Sequence, residues 1–202
     1  MMRTLVVASR NPKKVQELQR LLEGLPYLVQ SLAAYPGMPE VVEDGATFQE
    51  NARLKALAAA SYTGELAIAD DSGLEVDALG GEPGVLSARY SGVDDPQARD
   101  VANNALLLER LAGVPHARRT ARFVCAVAVA DPTGVLWEGA GYVEGRIATE
   151  ERGPKDAFGY DPIFLPEGSD RTFAEMTAEE KDAISHRGRA LALAKEFLRS
   201  LT

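Results

Sequence analysis

Leu66-Ala67-Ile68-Ala69-Asp70-Asp71-Ser72-Gly73-Leu74 is the stretch on which the reading of this chain turns. Its first four residues form a short apolar run, the pattern of a buried strand. The run stops at two adjacent carboxylates, a hydroxyl and a glycine. Burying such charges without partners costs several kcal/mol per ion. The acidic pair is therefore expected at a strand end, facing water, a metal or a cation. In α/β proteins the carboxyl ends of strands are where ligands bind. Asp, Ser and Gly are also turn formers. Taken alone, the stretch suits a turn as well as it suits a metal or acid–base site.

Upstream, Leu5-Val6-Val7-Ala8 reads as a second buried strand. Ser9-Arg10-Asn11-Pro12-Lys13-Lys14 follows, and then a helix whose apolar positions Val15, Leu18, Leu21, Leu22 and Leu25 make one face. Asn11 suits the N-cap and Pro12 the first helical position. A helix N-terminus after a strand presents free N–H groups and a positive dipole end. Lys13 and Lys14 lie in that first turn, where the dipole disfavours cations. Their placement points to an anion nearby; two solvated lysines are the plainer alternative. Tyr27 to Leu32 predicts another strand. A loop with Pro36, Gly37 and Pro39 leads to a further acidic pair, Glu43-Asp44. Thr47-Phe48-Gln49-Glu50 matches a capping box, and the Ala-rich helix behind it carries Phe48, Asn51 and Lys55 on one side.

Downstream, Leu74 to Leu79 alternates like a half-buried strand, and Gly80 to Gly84 is a loop. Pro96 to Leu111 predicts a helix with Val101, Ala105, Leu108 and Ala112 inward. Arg119 to Ala130 and Val135 to Arg146 are two long β-like runs joined by a turn signal, Asp131-Pro132-Thr133-Gly134. This pair breaks the strand–helix alternation, so the sheet is expected to be mixed. Gly153 to Pro166 is a Gly/Pro-rich loop with Phe158, Tyr160 and Phe164. Thr177-Ala178-Glu179-Glu180 is another capping box, opening a helix that carries Lys181. Ser185-His186-Arg187-Gly188 interrupts it, and Arg189 to Leu201 is amphipathic, with Ala190, Leu193, Ala194, Phe197 and Leu201 inward. There is no internal repeat or low-complexity linker. A single α/β domain over residues 1–202 is expected.

The 202 residues are 46% hydrophobic and 26% charged, with a net charge of -8. That balance is ordinary for a globular protein and gives no general attraction for a nucleic acid polymer. No apolar run is long enough to span a bilayer, and the first residues lack a signal-peptide h-region. One cysteine, Cys125, excludes an internal disulfide and reads as a buried thiol in a cytoplasmic protein. His116, Arg118, Arg119 and Arg122 read as exposed, and Trp137 as core or dimer interface.

The segments converge on one chemistry. Carboxylates bind Mg²⁺, lysines and helix N–H groups bind phosphates, and an aromatic ring stacks on a base. Together they are the parts of a nucleoside triphosphate site. Six motifs carry a resemblance: Ser9 to Lys14, Thr47 to Ala52, Asp70 to Leu74, Gly84 to Tyr90, Phe158 to Pro162 and Ser185 to Gly188. In this order they resemble the inosine triphosphate pyrophosphatase family, over residues 5 to about 195.

The resemblance implies hydrolysis of ITP, dITP and XTP to the monophosphate and pyrophosphate. It implies an elongated mixed β-sheet flanked by helices, two lobes with an active-site cleft, Mg²⁺ dependence and a homodimer. By position it implies that Ser9, Arg10, Asn11, Pro12, Lys13 and Lys14 bind phosphate. Glu43 and Asp71 are the implied metal ligands, and Asp71 and Lys14 the implied catalytic residues. Ser72, Phe158, Gly159, Tyr160, Asp161, Lys181, His186 and Arg187 are the implied substrate contacts. Many members have glycine where this chain has Arg10, which could contact phosphate or face solvent. Asp70 could be a second metal ligand or a supporting group. If Arg187 faces position 6 and Asp161 faces N1 of a purine, donor–acceptor logic selects a 6-oxo group and an N1–H, which hypoxanthine and xanthine provide and adenine does not. Phe158 could instead be a core aromatic, and His186 a helix cap. Two alternatives stand beside this function: a related pyrophosphatase for pyrimidine or other modified nucleotides, and a nucleotide-binding regulator without hydrolysis.

Overall fold

The computed structural model describes residues 2–202. Six strands and five α-helices account for most of the described chain. The strands are β1 (Arg3–Val7), β2 (Tyr27–Ser31), β3 (Leu66–Val76), β4 (Thr120–Asp131), β5 (Gly134–Ile147) and β6 (Phe164–Pro166). The helices are α1 (Pro12–Leu21), α2 (Phe48–Thr63), α3 (Arg99–Arg110), α4 (Ala178–Ile184) and α5 (His186–Ser200). The strands form one sheet in the order β2-β1-β3-β4-β5-β6. β1 runs parallel to β2 and β3, whereas β5 and β6 are antiparallel. The sheet is thus mixed, as the β4–β5 pair suggested. No helix among the described residues is long and apolar enough to cross a membrane.

Local signals set the helix starts. Asn11 caps α1 by accepting from the amides of Lys13 and Lys14, with Pro12 at the first helical position. Thr47–Glu50 and Thr177–Glu180 form reciprocal capping boxes at α2 and α4. Gly64 ends α2 at φ 75°, a left-handed conformation that favours glycine.

Two compact units share the chain. The first comprises residues 1–71, 125–141 and 187–202; the second comprises residues 72–124 and 142–186. In the first, Leu5, Val7, Ile68 and Val127 from the sheet pack with Leu18 of α1, with Leu22 at its C-terminal end and with Leu191 and Leu198 of α5. In the second, Leu74, Phe123, Phe164 and Phe173 form the core with Leu107 of α3.

Several expectations are corrected. β3 continues unbroken from Leu66 to Val76, so Asp70 and Asp71 lie in mid-strand rather than at a strand end. The strand survives there because both carboxylates have cationic partners. α3 buries Asn103, Asn104 and Leu107, while Val101 is 54% exposed and Ala105 faces solvent. Its inward face is partly polar because both amides bond to neighbouring backbone. α5 begins at His186 and buries Leu191 and Leu198, leaving Leu193 exposed. Arg119 is buried, donating to the carbonyls of Leu111, Val114 and Ala148. Three carbonyls satisfy a guanidinium that hydropathy alone places at the surface. His116 and Arg118 are exposed as expected. Trp137 is half-buried and stacks on Phe197 at 5.9 Å.

Candidate active site

Successive side chains along a strand point to opposite faces. This separates the two carboxylates of β3. Asp71 meets α2: Lys55 Nζ lies 3.2 Å from its Oδ1, and Asn51 Nδ2 donates to its Oδ2 at 3.1 Å. Asn51 and Lys55 are four residues apart, hence on one helix face. Lys55 also donates to Glu43 Oε2 at 2.7 Å. The Asn51 side-chain oxygen Oδ1 accepts from the Gly45 amide at 2.8 Å, tying the Glu43 loop to the same helix. A Cβ at Gly45 would come within 2.7 Å of that oxygen, so only glycine fits there.

The charges in this group set one another. Burial pushes the Asp71 carboxyl up, and Lys55, Lys14 and Asn51 pull it down, while Glu43 adds to the rise; the net displacement is upward. For Lys55, burial favours the neutral amine, but Asp71, Asp70 and Glu43 outweigh it and raise its pKa. Lys55 therefore stays charged beside two carboxylates.

Asp70 occupies the other face. It is 2% exposed. Arg187 Nε lies 3.2 Å and Lys14 Nζ 3.3 Å from its Oδ2. Burial opposes its charge, yet Lys14, Arg187 and Lys55 hold the carboxyl well below the usual range. Arg187 also donates through Nη1 to Glu17 of α1. The Cys125 thiol lies 3.7 Å from Asp70, and burial together with that anion pushes its pKa up, leaving it an inert thiol.

The segment Ser9–Lys14 forms the turn into α1. Ser9 Oγ accepts from the Asn11 amide at 3.3 Å. Arg10 donates to the Met38 carbonyl, tying this turn to the loop before Glu43. Pro12 and Lys13 are exposed, and Lys14 is mostly buried against Asp70.

In the second unit, Phe158, Gly159, Tyr160 and Asp161 form a turn closed by the Asp161 amide on the Phe158 carbonyl at 3.0 Å. Gly159 has φ +54°. Tyr160 is buried and donates to the Ser87 carbonyl at 2.8 Å. Lys181 of α4 forms a buried ion pair with Asp161 at 2.6 Å. Its ammonium lies 5.7 Å from the centre of the half-buried Phe158 ring. His186 is buried and stacks on Phe123 with centroids 4.6 Å apart. Ser72 is half-buried in β3.

The predicted residues thus fall into groups. Glu43 and Asp71 meet around Lys55; Lys14 and Arg187 meet around Asp70; Phe158, Asp161 and Lys181 meet in the second unit. Lys55 and Asn51 are the candidates that the sequence-based selection left out. Their common helix face was visible, but only the partner Asp71 gives that face a chemical meaning. Glu43 and Asp71 are hard oxygen donors converging on one positive centre. Such a pair fits a hard divalent cation whose other ligands are water and phosphate.

Comparison with known proteins bears on this arrangement. The model of the Ham1 family matches residues 5–197. The dITP/XTP pyrophosphatase of Desulforamulus reducens is 53% identical over 197 residues, 98% of this chain and 96% of that protein. The dITP/XTP pyrophosphatase of Geobacter sulfurreducens is 51% identical, covering 98% and 97%. The structure of the Staphylococcus aureus Ham1 protein superposes with a TM-score of 0.85 at 39% identity, covering 99% of this chain and all of that one. Sequence and structure agree along nearly the whole length, and the chain belongs to the Ham1 family.

Proposed function

We propose that the protein hydrolyses dITP, XTP and ITP to the nucleoside monophosphate and pyrophosphate, removing non-standard purines from the nucleotide pool. The observation that carries this reading is the grip of Lys55 and Asn51 on Asp71 beside Glu43. Curated relatives at about half identity carry the name dITP/XTP pyrophosphatase.

Glu43 and Asp71 would hold Mg²⁺, which supplies Lewis-acid stabilisation of phosphate charge when bound. Asp71 takes the proton of a water whose oxygen bonds to the α-phosphorus. The bond from that phosphorus to the bridging oxygen breaks, and pyrophosphate leaves with the electron pair. Lys14 and Lys55 oppose the negative charge gathering on the phosphates. Ser9, Asn11 and the start of α1 hold the phosphate chain, with Asp70 fixing Lys14.

Phe158 stacks on the base. Asp161 accepts from N1–H, and Lys181, which stands beside it, donates to the 6-oxo group. Arg187, first expected opposite the 6-oxo group, is engaged by Asp70 and Glu17. Adenine presents the opposite pattern at both positions and would leave buried groups unpaired. The proposal extends to a cytoplasmic homodimer, as the family resemblance implies; sedimentation tests the dimer.

The deciding experiment is pyrophosphate release from ITP, XTP, dITP, GTP and ATP, with and without Mg²⁺. ITP, dITP and XTP should have the highest kcat/KM, and activity should vanish without the metal. ATP as the preferred substrate would overturn the reading.

A further inference from the structure

The buried polar face of α3 has no part in the chemistry above, yet it ends on one residue of the Phe158–Asp161 turn. Asp100 Oδ2 accepts from the Gly159 amide at 2.9 Å. Asn104 Nδ2 donates to the Gly159 carbonyl at 3.0 Å. The two side chains are four residues apart, so they project from one face and reach both polar groups of the same residue. Asn104 is 2% exposed. The neighbouring Asn103 works on the adjoining segment. Its amide donates to the Ser87 carbonyl at 3.2 Å, and its oxygen accepts from the Ser91 amide at 2.8 Å. The same Ser87 carbonyl takes the Tyr160 phenol. α3 thus holds the turn directly at Gly159 and indirectly at Tyr160.

We propose that Asp100 and Asn104 are positioning residues for base recognition: a clamp on Gly159 that sets the Phe158 ring and the Asp161 carboxylate. Gly159 at φ +54° is the position with the most backbone freedom, and it is the one held from both sides. Unclamped, the turn would sample other conformations, and the two flanking recognition groups would lose register. This inference rests on the reading of Phe158–Asp161 as the base-binding turn.

Steady-state kinetics on ITP test it. Asn104→Ala and Asp100→Ala should each raise KM about tenfold, the worth of one net hydrogen bond, with kcat kept within about twofold. Inhibition by inorganic pyrophosphate, which has no base, should be unchanged. Asp100→Asn should restore KM, because its amide oxygen still accepts from the Gly159 amide. Unchanged KM in both alanine variants, or an equal weakening of pyrophosphate inhibition, overturns the clamp. Should Asn104→Ala fail to fold, the Asp100→Ala and Asp100→Asn pair decides. Phe158→Ala, measured alongside, separates the two readings. If it leaves KM unchanged, the base-binding turn is wrong. If it raises KM while the α3 variants do not, only the clamp is wrong.

Discussion

Lys55 Nζ lies 3.2 Å from Asp71 Oδ1, and each residue moves the other's proton affinity. Lysine favours the ionised aspartate, and the aspartate favours the charged lysine. Lys55→Met removes the cation, so the Asp71 pKa should rise further. The acid limb of the kcat/KM profile, which reports a base that must be ionised, should move to higher pH. At neutral pH kcat should fall about 10²-fold or more, as when a preorganised charge is lost from an active site. Lys55→Arg should keep the limb nearer its original position. A pH titration of ITP hydrolysis is the measurement, and a limb that moves to lower pH would contradict the pairing.

Asp71→Asn should separate activity from stability. Loss of the general base should cost at least about 10²-fold in kcat. The fold should not suffer. A carboxyl whose pKa is raised by folding favours its protonated form in the native state. Its ionised form is therefore a burden once the pH exceeds the ordinary aspartate value. Asparagine removes that charge; its single amide oxygen keeps one of the two donors, Asn51 or Lys55, and Lys55 keeps Glu43. The melting temperature should equal or exceed that of the wild type, the usual trade between stability and activity at such sites. Near-wild-type turnover in this variant would remove Asp71 from its assigned role.

Asp70 should behave in the opposite way. Asp70→Ala takes the carboxylate partner from Lys14 and leaves Arg187 only its other partners, Glu17 among them, and breaking such a buried pair costs about 3–5 kcal/mol. Urea unfolding should show a lower midpoint. The pH dependence has a definite sign. Folding depresses the Asp70 pKa, so its contribution is complete above the ordinary aspartate value and is lost as pH falls below it. Wild-type stability should therefore decline as pH drops below about 4, and Asp70→Asn should flatten that decline. An equal acid slope in both proteins would argue against the depressed carboxyl.

The contrast between Asp70 and Asp71 shows where a sequence can be read and where it cannot. Caps and turns are local, so Asn11, Thr47, Thr177 and the link from Asp131 to Gly134 were legible residue by residue. The acidic pair was legible as a candidate site but misplaced in its strand, because an isolated reading counts desolvation without the distant partners that offset it. Lys55 comes from 16 positions upstream of Asp71 and Arg187 from 117 positions beyond Asp70. The face of α3 failed for the same reason. Hydrophobic periodicity favoured Val101 and Ala105, whereas Asn103 and Asn104 are buried because loop backbone needs their amides. Arg119 sits inside on three carbonyls that no local pattern announces. Of the candidate site, the motif residues were recognisable by resemblance; Asn51 and Lys55 became chemical only once Asp71 stood against them.

Lys181 and Asp161 form a buried pair 2.6 Å apart, and its structural role can be separated from the recognition role proposed for it. As a structural pair, removing one partner leaves a buried charge, so Lys181→Met should destabilise by about 3–5 kcal/mol. As the proposed recognition pair, it would present one donor and one acceptor to a 6-oxopurine. The double variant Lys181→Met, Asp161→Asn has no buried charge and should recover most of that stability. It should not recover base discrimination, because neither the ammonium nor the carboxylate is present. A double-mutant cycle read twice tests this, once by thermal unfolding and once by the ratio of kcat/KM for ITP over ATP. Coupling should be strong in stability, and the ratio should stay low in the double variant. Recovery of the ratio together with stability would mean that the pair only supports the fold, and the reading of the 6-oxo group would then have to lie with other donors.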